Sequence, residues 1–356
     1  MTVNDSTSPA LTNVGTVRLQ GAEVLTITSV STAAGTFEYV GTGAAATYVM
    51  SDISSSTDYY NVTFNGAAGD VFRTAANITA ANNVTMSGGT LDISTNANTL
   101  TVTSSLTVGG GSLTATNGNI DANSHVIISG AGTLTAPGSG KTFTVAGNWT
   151  NTAGAAFFVH SSGTVTFDPA AATTISISGT NTFNSLTSTA AGATIQFKDG
   201  DTQTMAGTLT LYGSEGNLLT VKSTVDNTDW NISVSAAQLT QFLSVRDSEV
   251  LGSADITCFN CTNVSGNDNA AASPRWVFLT LSISFPQAGK TTDFTPTIIG
   301  LAPASSAIEV RLNSCAGTLL GSATANVNGD FRFASSSGVI TTAGSYTLVP
   351  CLSGLA

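Results

Sequence analysis

The sequence predicts an all-β protein in which a long β-solenoid is followed by a small β-sandwich. Three observations lead to this prediction. From residue 15 to about residue 280, short segments alternate apolar and small polar side chains and end at Gly, Asn or Ser. Several of these segments recur in the same order along the chain. Beyond residue 280 the composition shifts, and prolines become frequent.

The alternating segments are typical of β-strands that bury one face. Examples are NVTFNG at 61–66, TLTVTSSLTVGGGSLTA at 99–115 and HVIISG at 125–130. A period of two predicts strands throughout, and Gly and Asn tolerate the positive φ angles that tight corners need. Only SAAQLTQFL at 235–243 suggests a short helical turn.

A longer internal repeat indicates how the strands are arranged. GTFEYV at 35–40 aligns with GTVTFD at 163–168, YNVT at 60–63 with FNSL at 183–186, and VTM at 84–86 with LTL at 209–211. Repeated strand-turn units cannot bury their apolar faces alone, so they are expected to stack around one continuous core. With ~20 residues per coil, this predicts about a dozen coils and a rod ~60 Å long.

Two other interpretations of the pattern are a string of sandwiches and a disordered chain. Sandwich strands have a similar spacing, but residues 10–136 contain no proline, the turns are small and polar, and the apolar residues are light. Disordered chains lack the β-branched residues that are abundant here. The solenoid is therefore favoured.

Charge limits the classes of partner. Charged residues make up 9% of the chain and the net charge is −11, which disfavours nucleic acid and anionic membranes as partners. No apolar run approaches the ~18 residues of a spanning helix. The N-terminus does not look like a signal peptide. We therefore expect that an export signal has been removed or that this is a piece of a longer chain.

The cysteines indicate the compartment. A zinc site is disfavoured for Cys258 and Cys261 because the two histidines, His125 and His160, lie far upstream. A redox C-x-x-C would need a βαβ setting. We predict disulfides within each local pair, Cys258 with Cys261 and Cys315 with Cys351, and hence an oxidising, extracytoplasmic location.

Three segments resemble the repeats of bacterial secreted parallel β-helix proteins: DTQTMAGTLTL at 201–211, GNLLTV at 216–221 and WNISV at 230–234. The segments VRDS at 245–248 and WVF at 276–278 are similar to the last coils of large bacterial surface proteins. The resemblance implies a right-handed parallel β-helix over residues 1–280, including an N-terminal cap segment. It also implies the role of a stalk or display scaffold.

The segments TPTIIG at 295–300, NGDFRF at 328–333 and GSYTLV at 344–349 are similar to bacterial immunoglobulin-like repeats. The resemblance implies an immunoglobulin-like sandwich over residues 281–356, used as a spacer or an adhesive unit. The module is predicted to be incomplete. Either the chain continues beyond residue 356, which we favour, or a neighbouring molecule donates a strand, for which residues 1–16 are a candidate. An open edge predicts self-association.

An enzyme on the same scaffold is the main alternative, because parallel β-helices also carry polysaccharide lyases and hydrolases. Glycoside hydrolysis needs two carboxylates close together. The acids here are isolated in sequence: Asp92, Asp121, Asp168, Asp199 and Asp201. The only lysines before residue 250 are Lys141, Lys198 and Lys222. The sequence therefore predicts no catalytic, cofactor-binding or metal residue.

The remaining candidate residues are predicted to have structural roles. Asp199 and Asp201 flank a glycine and are weak calcium candidates, but a solvated corner is the favoured interpretation. His125 and His160 are predicted at the surface or at strand ends. Trp149, Trp230 and Trp276 are predicted to pack in the core rather than to stack on sugars. We therefore predict a non-enzymatic stalk or adhesin-like segment, with glycans or surface proteins as partners. A phage tail fibre or spike is a further alternative.

Overall fold

The computed structural model describes residues 2–3, 11–27, 30, 33–50, 58–268, 274–280, 282–285, 295–302, 305–336, 338–340 and 346–352. In these ranges every regular element is a β-strand except one 3-10 turn, Ala155–Phe157. The chain winds through about 11 turns of a parallel β-solenoid. The predicted fold class is therefore confirmed, at close to the predicted number of coils.

Each complete turn visits three parallel sheets. The long sheet has one strand per turn: Thr16–Leu19, Thr36–Tyr39, Asn61–Asn65, Val84–Gly88, Ser105–Val108, His125–Ile128, Trp149–Asn151, Thr174–Ser178, Thr194–Phe197, Leu219–Ser223, Leu243–Arg246 and Thr262–Ser265. A short pair, Thr2–Val3 with Thr26–Ile27, lies near the N-terminus.

From the long sheet the chain passes to a second sheet, here called the short sheet, which consists of two sections of six and four strands. Its strands are Thr47–Met50, Val71–Thr74, Thr90–Asp92, Ser112–Thr114, Thr133–Thr135 and Phe158–Val159, then Asn181–Phe183, Thr202–Met205, Trp230–Val234 and Ser248–Gly252.

The third sheet, here called the threonine sheet, completes the turn. Its strands are Ile78–Ala80, Thr99–Val102, Asn119–Ala122, Phe143–Val145, Thr164–Phe167, Ser185–Ser188 and Leu209–Leu211. A bridge between Tyr212 and Gln241 leads to the last strands, Gln238–Gln241, Ile256–Phe259 and Trp276–Leu279.

Alternation along the strands produces the core. Inward positions are buried and outward positions are partly exposed, as in the pattern of Ser105–Val108. Parallel register places inward residues directly above one another, for example Val62 on Val84 and Val84 on Leu106. Burial of each such side chain stabilises the fold by about 1.5–3 kcal/mol.

Two local expectations are corrected. Residues 235–243 contain the strand Gln238–Gln241 instead of a helical turn, because this segment pairs in parallel with Ile256–Phe259. The two copies of the long internal repeat do not lie on the same face of the solenoid. The first members of the repeat lie in the long sheet and their aligned partners at 164–167, 185–188 and 209–211 lie in the threonine sheet, so the repeat is offset by one face of the solenoid.

The C-terminal region contains two three-stranded antiparallel sheets. One has Ser282–Phe285, Thr297–Leu301 and Asp330–Ala334, and the other has Leu319–Thr324, Ala307–Leu312 and Leu348–Leu352. Residues of both sheets share one core, including Ile298, Val310 and Phe331. The sequence also predicted a missing last strand after residue 352, with residues 1–16 as a candidate donor strand. Residues 353–356, and residues 1 and 4–10 of the donor segment, lie outside the described residues.

The C-terminal sheets pack on the last coils of the solenoid. Phe259 joins the core of the C-terminal sheets, and Phe242 packs with Val349 and Cys351. Both predicted cysteine pairs are present, with Cα atoms 5.8 Å apart in Cys258–Cys261 and 5.8 Å apart in Cys315–Cys351. One pair closes a corner of a late coil, and the other joins a turn to the final strand.

Candidate functional site

Four of the five acids that the sequence singled out make local structural contacts, and the fifth, Asp168, is exposed. Asp92 accepts hydrogen bonds from the backbone N–H groups of Ser94 at 2.9 Å and Thr95 at 3.0 Å. It also pairs with Arg73 at 3.1 Å. Asp121 accepts from the hydroxyl of Thr144 at 2.7 Å. These contacts join neighbouring coils or stabilise turns.

The two calcium candidates contact different neighbours. The Oδ1 atom of Asp199 accepts from the Thr224 hydroxyl at 3.0 Å, and the Oδ2 atom of Asp201 accepts from the Gly179 N–H at 2.6 Å. Within the described ranges, no group of three or more His, Cys, Asp and Glu side chains is arranged to hold a metal ion. The geometry of this turn fits a corner that links coils.

An acidic corner that the sequence analysis missed lies on the late coils. Asp247 is buried, and its Oδ2 atom lies 3.1 Å from Nε of Arg246. The same guanidinium lies 3.2 Å from Asp226. Burial, and then the charges of Asp247 and Asp268, raise the pKa of Asp229. Because a single arginine contacts two carboxylates, the corner holds more negative than positive charge.

A second site that was missed is the fully buried carboxylate of Asp70. Its Oδ2 atom accepts from the N–H groups of Gly43 at 3.2 Å and Ala67 at 3.1 Å. Its Oδ1 atom accepts from the N–H of Ala46 at 3.4 Å and from the Tyr48 hydroxyl at 3.1 Å. Burial alone would raise the pKa of Asp70, but these donors outweigh burial and hold it below the ordinary value of 3.8. The carboxylate thus ties the loop before Thr47–Met50 to the loop before Val71–Thr74.

Replacing Asp70 with Asn is expected to lower the free energy of unfolding by about 2–3 kcal/mol at pH 7, because an amide NH₂ would face N–H donors. A lowered folded-state pKa means that the unfolded chain binds the proton more readily. The stabilisation is therefore complete above pH 3.8 and is lost as pH falls through the folded-state pKa. Urea unfolding at neutral and acidic pH measures both effects.

The matched control is Asp168→Asn at an exposed position, which should change stability by less than about 0.5 kcal/mol. A difference between wild type and Asp70→Asn that stays constant down to strongly acidic pH would contradict the role of the Asp70 charge.

The aromatic and imidazole candidates have structural contacts. All three tryptophans are buried, which confirms the predicted core packing. His125 accepts from the N–H of Asn148 at 3.0 Å, and His160 accepts from the N–H of Ser162 at 3.3 Å. His125 begins the strand His125–Ile128 and His160 directly follows Phe158–Val159, so both lie at strand ends as predicted.

The Trp149 indole is anchored by a buried amide. Asn181 Oδ1 accepts from Trp149 Nε1 at 3.0 Å and from Asn151 Nδ2 at 3.0 Å. Asn181 Nδ2 donates to Gly179 O at 2.7 Å and to Gln203 Oε1 at 3.0 Å. Every hydrogen-bonding position of the Asn181 amide is used, so this polar cluster is a structural link between coils.

Comparison with known proteins adds no function to this geometry. Across the described ranges, no helix is long and apolar enough to cross a membrane. No protein-family model, curated protein or solved structure matches the chain.

Proposed function

We propose that this chain is a non-enzymatic stalk or display segment that works outside the cytoplasm. The observation that carries the proposal is the single hydrophobic core that runs through the coils from Leu19 to Trp276. A continuous core makes neighbouring coils mutually dependent and gives a stiff rod. About 11 turns at ~4.8 Å per turn give a rod ~50 Å long.

The compartment is inferred from the cysteines. Two disulfides, Cys258–Cys261 and Cys315–Cys351, pair all cysteines of the chain. Disulfides persist in oxidising environments such as cell surfaces and secreted fluids. The sparse charge of 9% leaves a surface solvated mainly by hydroxyl and amide groups.

We further propose that the C-terminal sheets form an immunoglobulin-like spacer or adhesive module. Two antiparallel sheets that share one core support this proposal. Surface proteins or glycans are the proposed partners of this end of the rod.

The experiment that tests the proposal separates a stalk from a carbohydrate-active enzyme. The purified chain is incubated with pectin, alginate, xylan and chitin, and reducing ends and unsaturated products are measured. Small-angle scattering of the same sample reports its shape. We expect rod-like scattering and no product. Product release that is lost in Asp247→Asn or Asp229→Asn, with scattering unchanged, would overturn the stalk and support the enzyme.

A further inference from the structure

The outward side of the threonine sheet carries two columns of short hydroxyl side chains, here called the threonine face. The central column has one residue per coil in direct parallel register: Thr79, Thr101, Asp121, Thr144, Thr166, Thr187 and Thr210. Asp121 alone interrupts a column of threonines.

A second column lies two residues earlier in the chain, at the start of each strand or directly before it. Its members are Asn77, Thr99, Asn119, Thr142, Thr164, Ser185 and Thr208. Backbone pairing aligns Thr99 with Asn119 and Thr164 with Ser185. The Asn and Ser side chains join this column to the next coil, as in the 3.0 Å hydrogen bond from Thr142 N to Asn119 Oδ1. Most coils thus present a Thr-x-Thr or closely related pair.

The geometry of a parallel sheet sets the spacing of the two columns. Neighbouring rungs are ~4.8 Å apart, and the two columns are ~6.6 Å apart because each strand residue rises ~3.3 Å. Each strand pair on this face keeps its register without a shift. The long sheet, by contrast, has register shifts between Phe64 and Asn65 and between Val245 and Arg246. The threonine face is therefore a regular two-dimensional array.

The buried core beneath the threonine sheet holds the array rigid. The residues between the two columns point inward and are buried, for example Leu100, Ile120, Phe143 and Leu186. Threonine is β-branched and has few χ1 rotamers, and the parallel register places the threonines of adjacent rungs directly beside one another. The hydroxyl and methyl groups are thus ordered before a ligand binds, so little conformational entropy is lost on binding.

Charge distinguishes this face from the other two. The outward side of the long sheet carries Arg18, Glu38 and Lys222, and the short sheet carries Arg73 and Asp92. On the threonine face only Asp121 is charged, and it accepts a hydrogen bond from its neighbour Thr144. Neither column contains an aromatic side chain, so the face offers no ring on which a sugar could stack.

We propose that the threonine face binds ice. A repeat of ~4.8 Å along the columns is close to the spacing at which water oxygens repeat in hexagonal ice. The hydroxyls can bond to waters of the lattice, while the methyl groups between them exclude disordered solvent. Ordering one water costs at most about 2 kcal/mol, and a rigid array of many rungs repeats the favourable contact along the whole face.

Ice affinity of the purified full chain tests the proposal. A polycrystalline ice shell is grown slowly from the protein solution, and the protein in the ice and in the liquid is measured together with thermal hysteresis. We expect the wild type to concentrate in the ice. Thr166→Tyr places a large ring in the middle of the central column and should reduce capture about tenfold, which corresponds to about 1.4 kcal/mol.

The matched control is Thr107→Tyr, a partly exposed threonine in the middle of the long sheet, which should leave capture unchanged. Asp121→Thr completes the central column and should increase capture. Circular dichroism confirms that the variants are folded.

Several results would overturn the proposal. One is exclusion of the wild type from ice, and another is equal loss of capture in Thr166→Tyr and Thr107→Tyr. A dimer in sedimentation that Thr166→Tyr dissociates would make the face a protein interface instead. Retention on insoluble cellulose or chitin, abolished by Thr166→Tyr and without ice capture, would make it a glycan-binding surface.

Discussion

Replacing Trp149 with alanine is expected to lower the free energy of unfolding by about 4–5 kcal/mol, at the upper end of large-to-small core substitutions. The Trp149 ring centroid lies 4.8 Å from that of Phe158 and 5.6 Å from that of Phe183. The substitution would open a cavity between coils and remove the indole N–H from Asn181. Urea unfolding followed by far-ultraviolet circular dichroism measures the loss.

Trp149→Phe separates the ring from the hydrogen bond. Phenylalanine keeps most of the aromatic packing, and Asn181 Oδ1 retains its bond from Asn151. We expect a loss of only about 1–2 kcal/mol in this variant. If Trp149→Phe is as destabilising as Trp149→Ala, the amide cluster rather than the packing dominates at this site.

Replacing both Cys315 and Cys351 with alanine is expected to lower the free energy of unfolding by about 3–4 kcal/mol, because the disulfide closes a long loop in the unfolded chain. The sequence separation of this pair is 36 residues. Cys351 is also buried beside Phe242, so the bond ties the final strand to the region that packs on the solenoid. Thermal unfolding of the oxidised protein and of the variant gives the difference.

The other disulfide provides the control. Cys258 and Cys261 are separated by 3 residues, so the chain-entropy model gives only about 1–2 kcal/mol for the double alanine variant. A larger effect from this pair than from Cys315–Cys351 would show that the short bridge acts on the native packing of the late coils.

The architecture could be predicted because its signals are local and repeated. Alternation along 61–66 or 125–130 fixes which side chains face inward, and small polar corners fix where each strand ends. The cysteine pairs could be predicted because the two members of each pair lie in the same region of the chain. The coil boundaries were harder to predict, because Val126 pairs with Trp149 after 23 residues whereas Ile175 pairs with Ile195 after 20. Without a constant period, the faces cannot be assigned from sequence.

The sites depend on contacts that cross coils. Asp70 follows a glycine and resembles an ordinary turn residue, yet four donors from other positions surround its carboxylate. The acidic corner has the same origin, because Asp226 and Asp247 meet through Arg246 only after the coils stack. The threonine face had a visible signal, the recurring Thr-x-Thr, but its meaning depends on the register between coils.

Because the C-terminal sheets pack against the last coils, the two ends of the solenoid are expected to unfold differently. Each coil contacts only its neighbours, so disorder that starts at one end spreads coil by coil. At the C-terminal end this process must first detach Phe259 from the core that it shares with Ile298 and Phe331. Under a pulling force applied through the C-terminus, the sheets and their disulfide would bear the load before any coil opens. If the chain is the stalk that we propose, unravelling that starts from the C-terminal end should be slower than unravelling from the other end, because these sheets must detach first.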